Sequence, residues 1–198
     1  VMIGEVWEDA SNKISYGERK TYFTARELHT HTNYVFRNTI LSFLDGSLPA
    51  SGAVRIFETI RENYPIHNFF AQVNMTGSHD VERLMKVMLR IVNGERRLAR
   101  DLVKCFSLIQ FSSPGVPLIY YGDETCLEGG KDPDNRRTYP WGKQDSEMIG
   151  WFADLSLLRE ENRELVKGDA AYYAAAEENV FVVLRIPSGV KEKYYMIL

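Results

Sequence analysis

Apolar runs of strand length alternate along this chain with segments whose apolar residues recur at helical spacing. The predicted strands occupy residues 1–7, 69–75 and 116–121. The predicted helices occupy residues 53–63, 81–93, 98–111 and 148–163. Regular alternation of this kind predicts a parallel sheet covered by helices. The chain should therefore fold as a doubly wound sheet or as part of a (β/α)₈ barrel.

Titratable residues follow each predicted strand at its carboxyl end, where α/β proteins place their functional groups. Glu5 closes the first strand, His79 and Asp80 follow the second, and Asp123 and Glu124 follow the third. Because no Gly-rich phosphate loop follows any strand, nucleotide binding is not supported and the barrel is favoured. Glu5 and Asp80 are candidates for acid/base chemistry on one substrate, and a solvated loop acid is the alternative interpretation of Glu5.

Composition and charge argue against several classes of partner. The chain has 44% hydrophobic and 26% charged residues and a formal net charge of −3, with mixed signs and no basic stripe, so nucleic acid is not expected as a partner. No apolar stretch approaches the roughly 20 residues of a membrane-spanning helix, so no membrane partner is expected either. Cys105 and Cys126 lie in different settings and are expected to be free thiols. The compartment stays open, with the cytoplasm slightly favoured over secretion.

The pattern changes near residue 165, where helical spacing gives way to short apolar runs separated by turn residues. These runs lie at residues 172–173, 180–186 and 194–198. They predict an antiparallel sheet, so we expect one domain at residues 1–165 and the first strands of a second, β domain at residues 166–198. A complete barrel takes about 250 residues, so residues 1–165 have room for roughly half of one. Part of the protein is therefore expected to precede Val1, and residues 8–31 are expected to form a long loop.

Two segments of the sequence resemble signature segments of the α-amylase family of glycoside hydrolases, which is glycoside hydrolase family 13. They are residues 2–7 and residues 75–80 with Arg83. Further segments resemble strands six and eight, and the loop after strand eight, in the neopullulanase, cyclomaltodextrinase and maltogenic amylase branch. These are residues 33–38, 111–124 and 129–133 with 136–137 and Trp141. The resemblance implies the C-terminal half of a (β/α)₈ TIM barrel, strands five to eight, followed by the start of a C-terminal antiparallel β-sandwich domain.

The resemblance also implies roles for the polar residues at the strand ends. Glu5 matches the general acid/base, which protonates the leaving glycosidic oxygen and then activates water. Asp80 matches a catalytic carboxylate that holds hydroxyl groups of the reacting sugar, and His79 matches a histidine that hydrogen-bonds the same sugar.

Further residues are expected to bind substrate. These are Trp7, Arg83, Asp132 and Arg136. Trp7 is equally suited to filling the barrel rim, and a surface ion pair is the alternative for Asp132 and Arg136.

One part of the family pattern has no match in this chain. The family's nucleophile is an aspartate in a G-x-R-x-D segment, which would precede Val1. Retaining hydrolysis needs the nucleophile about 5 Å from the acid, so the chain alone is expected to be inactive. His29 and His31 imitate a metal pair without further ligands, so no metal and no cofactor are expected in this chain. Calcium in the full-length protein and a homodimer stay open.

The implied function is retaining hydrolysis of α-1,4 and α-1,6 bonds in maltodextrin, cyclodextrin, pullulan or starch. One alternative is a transglycosylase of the same family, in which a sugar hydroxyl replaces water. The other is a non-catalytic amylase-like protein that acts as a binding or scaffold module.

Overall fold

The computed structural model describes residues 1–25, 27–187 and 195–197. The strands are β1 Ile3–Val6, β2 Ile14–Ser15, β3 Glu18–Arg19, β4 Thr30–Asn33, β5 Val73–Met75, β6 Val116–Leu118, β7 Asp169–Ala174, β8 Phe181–Ile186 and β9 Tyr195–Ile197. The helices are α1 Tyr34–Leu44, α2 Ala50–Asn63, α3 Ile66–Phe69, α4 Leu84–Ile91, α5 Arg96–Ser112, α6 Ser146–Glu161 and α7 Glu164–Lys167.

A four-stranded parallel sheet in the order β1-β4-β5-β6 forms the centre of the fold. Its register aligns Glu5 with Thr32, Thr32 with Val73, and Val73 with Val116. Helices connect β4 to β5 and β5 to β6, which confirms the predicted parallel α/β architecture. The strand order follows the chain order without reversal, as in a barrel and unlike a doubly wound sheet. The described strands therefore form part of an α/β barrel, and their numbering as strands five to eight stays a prediction.

Both edge strands of the central sheet expose apolar side chains. The strand β1 pairs only with β4, and Ile3 is 58% exposed. At the other edge, Val116 of β6 is 53% exposed. Within the described ranges, neither edge strand has an outer partner.

The segment expected to be a long loop contains a short hairpin, β2 with β3, and the start of β4. The strand β4 escaped prediction because its sequence, Thr-His-Thr-Asn, lacks the apolar pattern of a buried strand. Hydrogen bonds compensate its polar side chains for the loss of water. Asn33 Nδ2 donates to Gln72 Oε1 at 2.8 Å and to Asn74 Oδ1 at 2.9 Å. Thr30 Oγ1 donates to the carbonyl of Ala71. Paired in this way, polar side chains can occupy a central strand.

The predicted helices are confirmed as α2, α4, α5 and α6, with ends that differ by a few residues. Two predicted strands are shorter than expected. The run at residues 69–75 becomes a strand only at Val73, because Pro65 starts the helical turn α3. The run at residues 116–121 ends at Leu118, and the chain then turns, with the Asp123 N–H donating to Tyr120 O at 3.0 Å.

Helix α5 shows how local sequence determines an element that supports the sheet. The Glu95 side chain caps its start by accepting the Arg97 N–H at 3.2 Å. Its buried face carries apolar residues three and four positions apart: Ala99, Val103 and Phe106. The helix ends before Pro114, and Gln110 in its last turn donates to the carbonyls of Asn74 and Leu118 at 2.9 Å. The helix thus ties β5 to β6 from behind the sheet.

The antiparallel sheet predicted near the end of the chain is confirmed, with the order β7-β8-β9. It packs on the helices that cover the parallel sheet. There the ring of Tyr172 stacks on that of Phe57 in α2, with 5.1 Å between ring centroids. Arg185 of β8 is fully buried and donates to the carbonyls of Ser112, Leu165 and Gly168 at 2.7–2.8 Å. The hydrophobic core therefore extends from the helices around the parallel sheet to the antiparallel sheet. The domain boundary at residue 165 stays a prediction.

Two further expectations concern the cysteines and membrane spans. Cys105 and Cys126 are both free thiols, as predicted. Among the helices of the described residues, none combines the length and the apolar character that crossing a membrane requires.

Candidate active site

A cavity of about 290 Å³ lies at the carboxyl ends of the parallel strands. We call it the strand-end cavity. Every strand of the central sheet contributes to its wall: Ile3 and Glu5 from β1, Thr32 from β4, Met75 from β5 and Leu118 from β6. The rest of the wall comes from α1 and from the loops after β5 and β6: Tyr34, Gly77, Ser78, His79 and Tyr120. Functional groups at this end of parallel strands are in the position that α/β barrels use for chemistry.

Glu5 is held in this cavity by a hydrogen bond from the first residue of α1. The Tyr34 hydroxyl lies 3.0 Å from Glu5 Oε1 and 3.1 Å from Ser78 Oγ. Ser78 Oγ in turn accepts the Asp80 backbone N–H at 3.1 Å. Burial raises the pKa of Tyr34 to about 12, although the Ser78 hydrogen bond opposes the shift. Tyr34 is therefore a neutral phenol at ordinary pH, and it links Glu5 to the loop that carries Asp80.

Trp7 lies beside this group but does not line the strand-end cavity. Its ring stacks on that of Tyr34, with 3.9 Å between ring centroids and an angle of 11° between the planes. Offset or parallel stacking of this kind is worth about 0.5–1.5 kcal/mol beyond the area that it buries. The contact orients the Tyr34 ring, and Trp7 remains partly exposed.

His79 and Asp80 lie side by side at the mouth of the site, but they line different cavities. His79 lines the strand-end cavity together with Glu5, whereas Asp80 lines an adjoining cavity of about 470 Å³ together with Asp132. Asp80 Oδ1 lies 3.2 Å from His79 Nε2 and 3.5 Å from Arg136 Nη2. The same carboxylate oxygen of Asp80 thus faces both His79 and Arg136. The structure thus brings Glu5 and His79 to one cavity and leaves Asp80 at its border.

Asp132 and Arg136 form the ion pair that was the alternative to substrate binding. Arg136 Nε lies 3.0 Å from Asp132 Oδ1, four positions earlier in the same loop, and both side chains are largely exposed. Because Arg136 also reaches Asp80, the pair connects the loop after β6 with the loop after β5. Exposed pairs of this kind contribute little stability, so their effect here is on the position of the Asp80 carboxylate.

Arg83 does not reach either cavity, because its side chain is fully buried. Its Nε donates to Asn135 O at 2.8 Å, Nη1 donates to Tyr121 O, and the guanidinium lies 4.1 Å from the centroid of the Tyr120 ring. Nη1 also lies 3.5 Å from Asp123 Oδ1. The structure therefore gives Arg83 a positioning role inside the fold, in place of the direct substrate contact expected from the sequence.

Asp123, the buried partner of Arg83, supports the loop after β5 from below. Its Oδ2 accepts the Thr76 hydroxyl at 3.1 Å, and a Cβ atom at Gly77 would lie only 2.7 Å from the same oxygen. Burial raises the pKa of Asp123 to about 6, although the charge of Arg83 opposes this shift. Asn135 completes the support by donating to His79 O at 2.7 Å and to Val81 O at 3.0 Å. The loop is thus anchored on both sides of Asp80.

Four residues of this arrangement escaped prediction from the sequence as site residues: Tyr34, Ser78, Asp123 and Asn135. Tyr34 lies in the segment that resembles strand six of the family, and Ser78 directly precedes His79, so proximity in sequence was a usable signal for both. Asp123 was noted only as an acid after a strand. Asn135 carries no local signal, because its partners are backbone carbonyls more than 50 residues away.

The two neighbouring histidines have separate surroundings. His31 is fully buried in β4 between the rings of Phe23 and Tyr64, and burial lowers its pKa. His29 Nδ1 accepts the Met2 N–H at 2.9 Å. No cluster of three or more His, Cys, Asp or Glu side chains that could hold a metal ion occurs in the part of the chain that the structure describes.

Comparison with known proteins decides the family. The model of the α-amylase catalytic domain matches residues 1–179. This chain belongs to the α-amylase family. The family predicted from the sequence is thereby confirmed.

Curated relatives of this α-amylase family chain include two bacterial enzymes. The amylopullulanase of Thermoanaerobacter thermohydrosulfuricus is 34% identical over 186 residues, which cover 85% of this chain and 12% of the relative. The cyclomaltodextrinase of Thermoanaerobacter pseudethanolicus is 33% identical over 173 residues, which cover 85% of this chain and 27% of the relative. The chain thus spans well under a third of the length of these relatives.

Solved structures agree with the barrel architecture. The ligand-free cyclic α-maltosyl-(1→6)-maltose hydrolase from Arthrobacter globiformis matches with a TM-score of 0.79 and 23% identity, covering 94% of this chain and 39% of that one. At this identity the match supports the fold of this α-amylase family chain and says nothing about its substrate.

Proposed function

We propose that this chain carries the acid/base part of the active site of a retaining α-glucan hydrolase. The observation that carries the proposal is the placement of Glu5 and His79 on one cavity at the carboxyl ends of parallel strands, with Asp80 in the adjoining loop. Membership in the α-amylase family supports the assignment of glycosidic bonds as the target.

In the proposed first step, the Glu5 carboxylic acid transfers its proton to the glycosidic oxygen as the bond from that oxygen to the anomeric carbon breaks. A carboxylate nucleophile forms a bond to the same carbon and gives a glycosyl-enzyme intermediate. In the second step, the Glu5 carboxylate takes a proton from water while the water oxygen displaces the nucleophile. After the two steps Glu5 is protonated again, and the product has the same anomeric configuration as the substrate.

The nucleophile of this mechanism has no counterpart among the segments of this chain that match the family. Retaining hydrolysis places that carboxylate about 5 Å from the acid, so we propose that the chain by itself does not turn over a glycoside. Glu5, His79 and Asp80 would act together with a nucleophile carried elsewhere in the full protein.

Asp80 and His79 are proposed to hold hydroxyl groups of the reacting sugar. Within the described residues, Asp80 uses only Oδ1 for ion pairs, which leaves Oδ2 as an acceptor for a sugar hydroxyl. The His79 ring is about half exposed, lines the strand-end cavity and lies 3.2 Å from Asp80 Oδ1, so it can bind a hydroxyl group of the same sugar. Trp7, Asp132 and Arg136 are proposed to border the substrate, with Arg136 acting through its contact to Asp80.

The proposed substrates are maltodextrin, cyclodextrin, pullulan or starch, with cleavage of α-1,4 and α-1,6 bonds. Relatives named amylopullulanase and cyclomaltodextrinase support this class, because their names refer to pullulan and to cyclic maltodextrins. Transglycosylation by the same steps, with a sugar hydroxyl in place of water, is an outcome that the products of the assay distinguish.

The test measures reducing sugar released from maltoheptaose, pullulan and β-cyclodextrin by this chain and by the full product of its gene. Replacing Glu5 with Gln in the full product should lower kcat by about 10²- to 10⁴-fold, the usual contribution of a general acid/base. Glu8→Gln is the matched control, because Glu8 is an exposed neighbour paired with Lys13 at 2.5 Å. The anomeric configuration of the first product, followed by NMR, should be α.

Other results would overturn the proposal in distinct ways. Activity of this chain alone would contradict the need for an external nucleophile. Inactivity of the full product, with maltoheptaose still bound, would indicate a non-catalytic binding protein. Products longer than the substrate would indicate a transglycosylase.

A further inference from the structure

A continuous set of hydrogen bonds connects the backbone of Asp80 to the carboxyl group of Glu5. It runs from the Asp80 N–H to Ser78 Oγ at 3.1 Å, from Ser78 to the Tyr34 hydroxyl at 3.1 Å, and from Tyr34 to Glu5 Oε1 at 3.0 Å. We call these three bonds the Tyr34 relay. Each of the two hydroxyl groups in the relay has one proton to donate.

The ionised Glu5 carboxylate determines the direction of the bonds in the relay. A carboxylate can only accept, so Tyr34 spends its one proton on Glu5 Oε1, and Ser78 must donate to the Tyr34 oxygen while it accepts the Asp80 N–H. The Tyr34 oxygen accepts that proton and donates its own to Glu5 Oε1. Tyr34 has no second proton to donate, and as long as it donates to Glu5 Oε1 that oxygen is an acceptor.

We propose that Tyr34 and Ser78 are positioning residues that determine which oxygen of Glu5 carries the transferable proton. With Oε1 occupied by the Tyr34 O–H, the proton of the neutral carboxyl group resides on Oε2, which is left to meet the glycosidic oxygen. The inference rests on the proposed role of Glu5 as the acid/base.

The surroundings of Tyr34 keep the relay in one geometry. The ring is almost fully buried and stacks on Trp7 at 3.9 Å, so the phenol oxygen has little freedom to move away from Glu5. Ser78 sits between Gly77, which approaches Asp123, and His79, whose carbonyl is bonded to Asn135. Movement of the loop after β5 is thereby coupled to the orientation of the Glu5 carboxyl group.

Removing the Tyr34 hydroxyl group takes away the hydrogen bond that orients the Glu5 carboxyl group. Tyr34→Phe in the full gene product should therefore lower kcat about ten- to a hundredfold. The KM for maltoheptaose should stay within about twofold, because the variant loses no contact to substrate. A change that affects only the chemical step lowers kcat and leaves KM.

Tyr34→Phe keeps the aromatic ring and its stacking on Trp7, so the fold should persist, and thermal unfolding checks this. Tyr173→Phe is the matched control, because Tyr173 is an exposed tyrosine of β7 remote from the cavity. Ser78→Ala should lower kcat less than Tyr34→Phe does. The double variant should be no worse than Tyr34→Phe alone, since one break already interrupts the relay.

The outcomes separate this inference from the proposed function. If the full product is inactive, or Glu5→Gln leaves it active, the proposed function fails and the inference with it. If Glu5→Gln abolishes activity while Tyr34→Phe leaves kcat unchanged, only the inference is overturned. A rise in KM with unchanged kcat would also overturn it, because Tyr34 would then contact substrate. If Tyr34→Phe does not fold, Ser78→Ala decides, and an unchanged kcat there refutes the relay.

Discussion

Gly77 is the residue at which the loop of the candidate site passes closest to its buried support. A methyl group at this position would place Cβ 2.7 Å from Asp123 Oδ2 and 3.6 Å from its Cγ. The Asp123 carboxylate cannot easily move away, because it is fully buried and its Oδ2 accepts the Thr76 hydroxyl at 3.1 Å. The backbone on the other side is also held, since Arg37 Nε donates to Thr76 O at 2.8 Å. Gly77→Ala should therefore be accommodated only at a cost.

The size of that cost follows from the two ways of relieving the contact. Forcing an extra methyl into a packed site costs about 1–3 kcal/mol, and breaking the hydrogen bond to the Asp123 carboxylate costs about 1.5–3 kcal/mol. Alanine restricts the unfolded chain and returns about 0.4–1 kcal/mol. We expect a net loss of about 2 kcal/mol in the free energy of unfolding.

Urea unfolding of this chain, followed by circular dichroism, measures the effect. Gly150→Ala is the matched control, because no atom lies within 4 Å of the position its Cβ would take in helix α6, and it should stabilise by about 0.5–1 kcal/mol. In an Asp123→Ala background the contact is gone, so Gly77→Ala should cost nothing. The reasoning is refuted if Gly77→Ala is as stable as Gly150→Ala, or if its cost is the same in both backgrounds.

Three further predictions concern stability and association. Arg185→Met should lower the free energy of unfolding by about 3 kcal/mol or more, because buried carbonyls in both layers lose their donor; an unchanged urea midpoint would contradict this. The pKa of Asp123 is raised to about 6 from 3.8, so the folded chain holds a proton that the unfolded chain releases, and stability should fall by about 3 kcal/mol as pH rises from about 4 to 6. Urea unfolding across this range should show a smaller pH dependence for Asp123→Asn, and equal slopes would disprove the assignment. Unpaired edge strands can pair with another copy of the chain, so Ile3→Lys and Val116→Lys at the open sheet edges should reduce self-association in sedimentation velocity. Leu157→Lys on the exposed face of α6 should not reduce it. Equal effects of the three substitutions would rule out the edges as the contact.

Helices and the strand-helix alternation were predictable because their signals are local. Helix α5 has its cap, its apolar stripe and its terminating proline within one stretch of sequence. Strand β4 was not predictable in this way, since Thr30 and Asn33 are buried only because Ala71, Gln72 and Asn74 of a distant segment accept their protons. Burial of a polar strand depends on partners that a local pattern does not contain.

The candidate site divides in the same manner. Glu5, His79 and Asp80 were found from their position after apolar runs and from the resemblance to the α-amylase family. The inward turn of Arg83 was not, because a charged side chain near a strand end is usually solvated, and here the Tyr120 ring and Asp123 replace water around it.

The sequence by itself determined the alternating architecture, the family and the three titratable residues nearest the proposed chemistry, because each depends on spacing and residue type along the chain. Only the tertiary structure decided that Tyr34 donates to Glu5, that Asp80 turns toward Arg136, and that Glu5 and Asp80 border different cavities. Those features depend on which hydroxyl, carboxylate and guanidinium groups from distant segments come within hydrogen-bonding distance. Such distances are set by strand register and loop packing, which no local pattern of residues specifies.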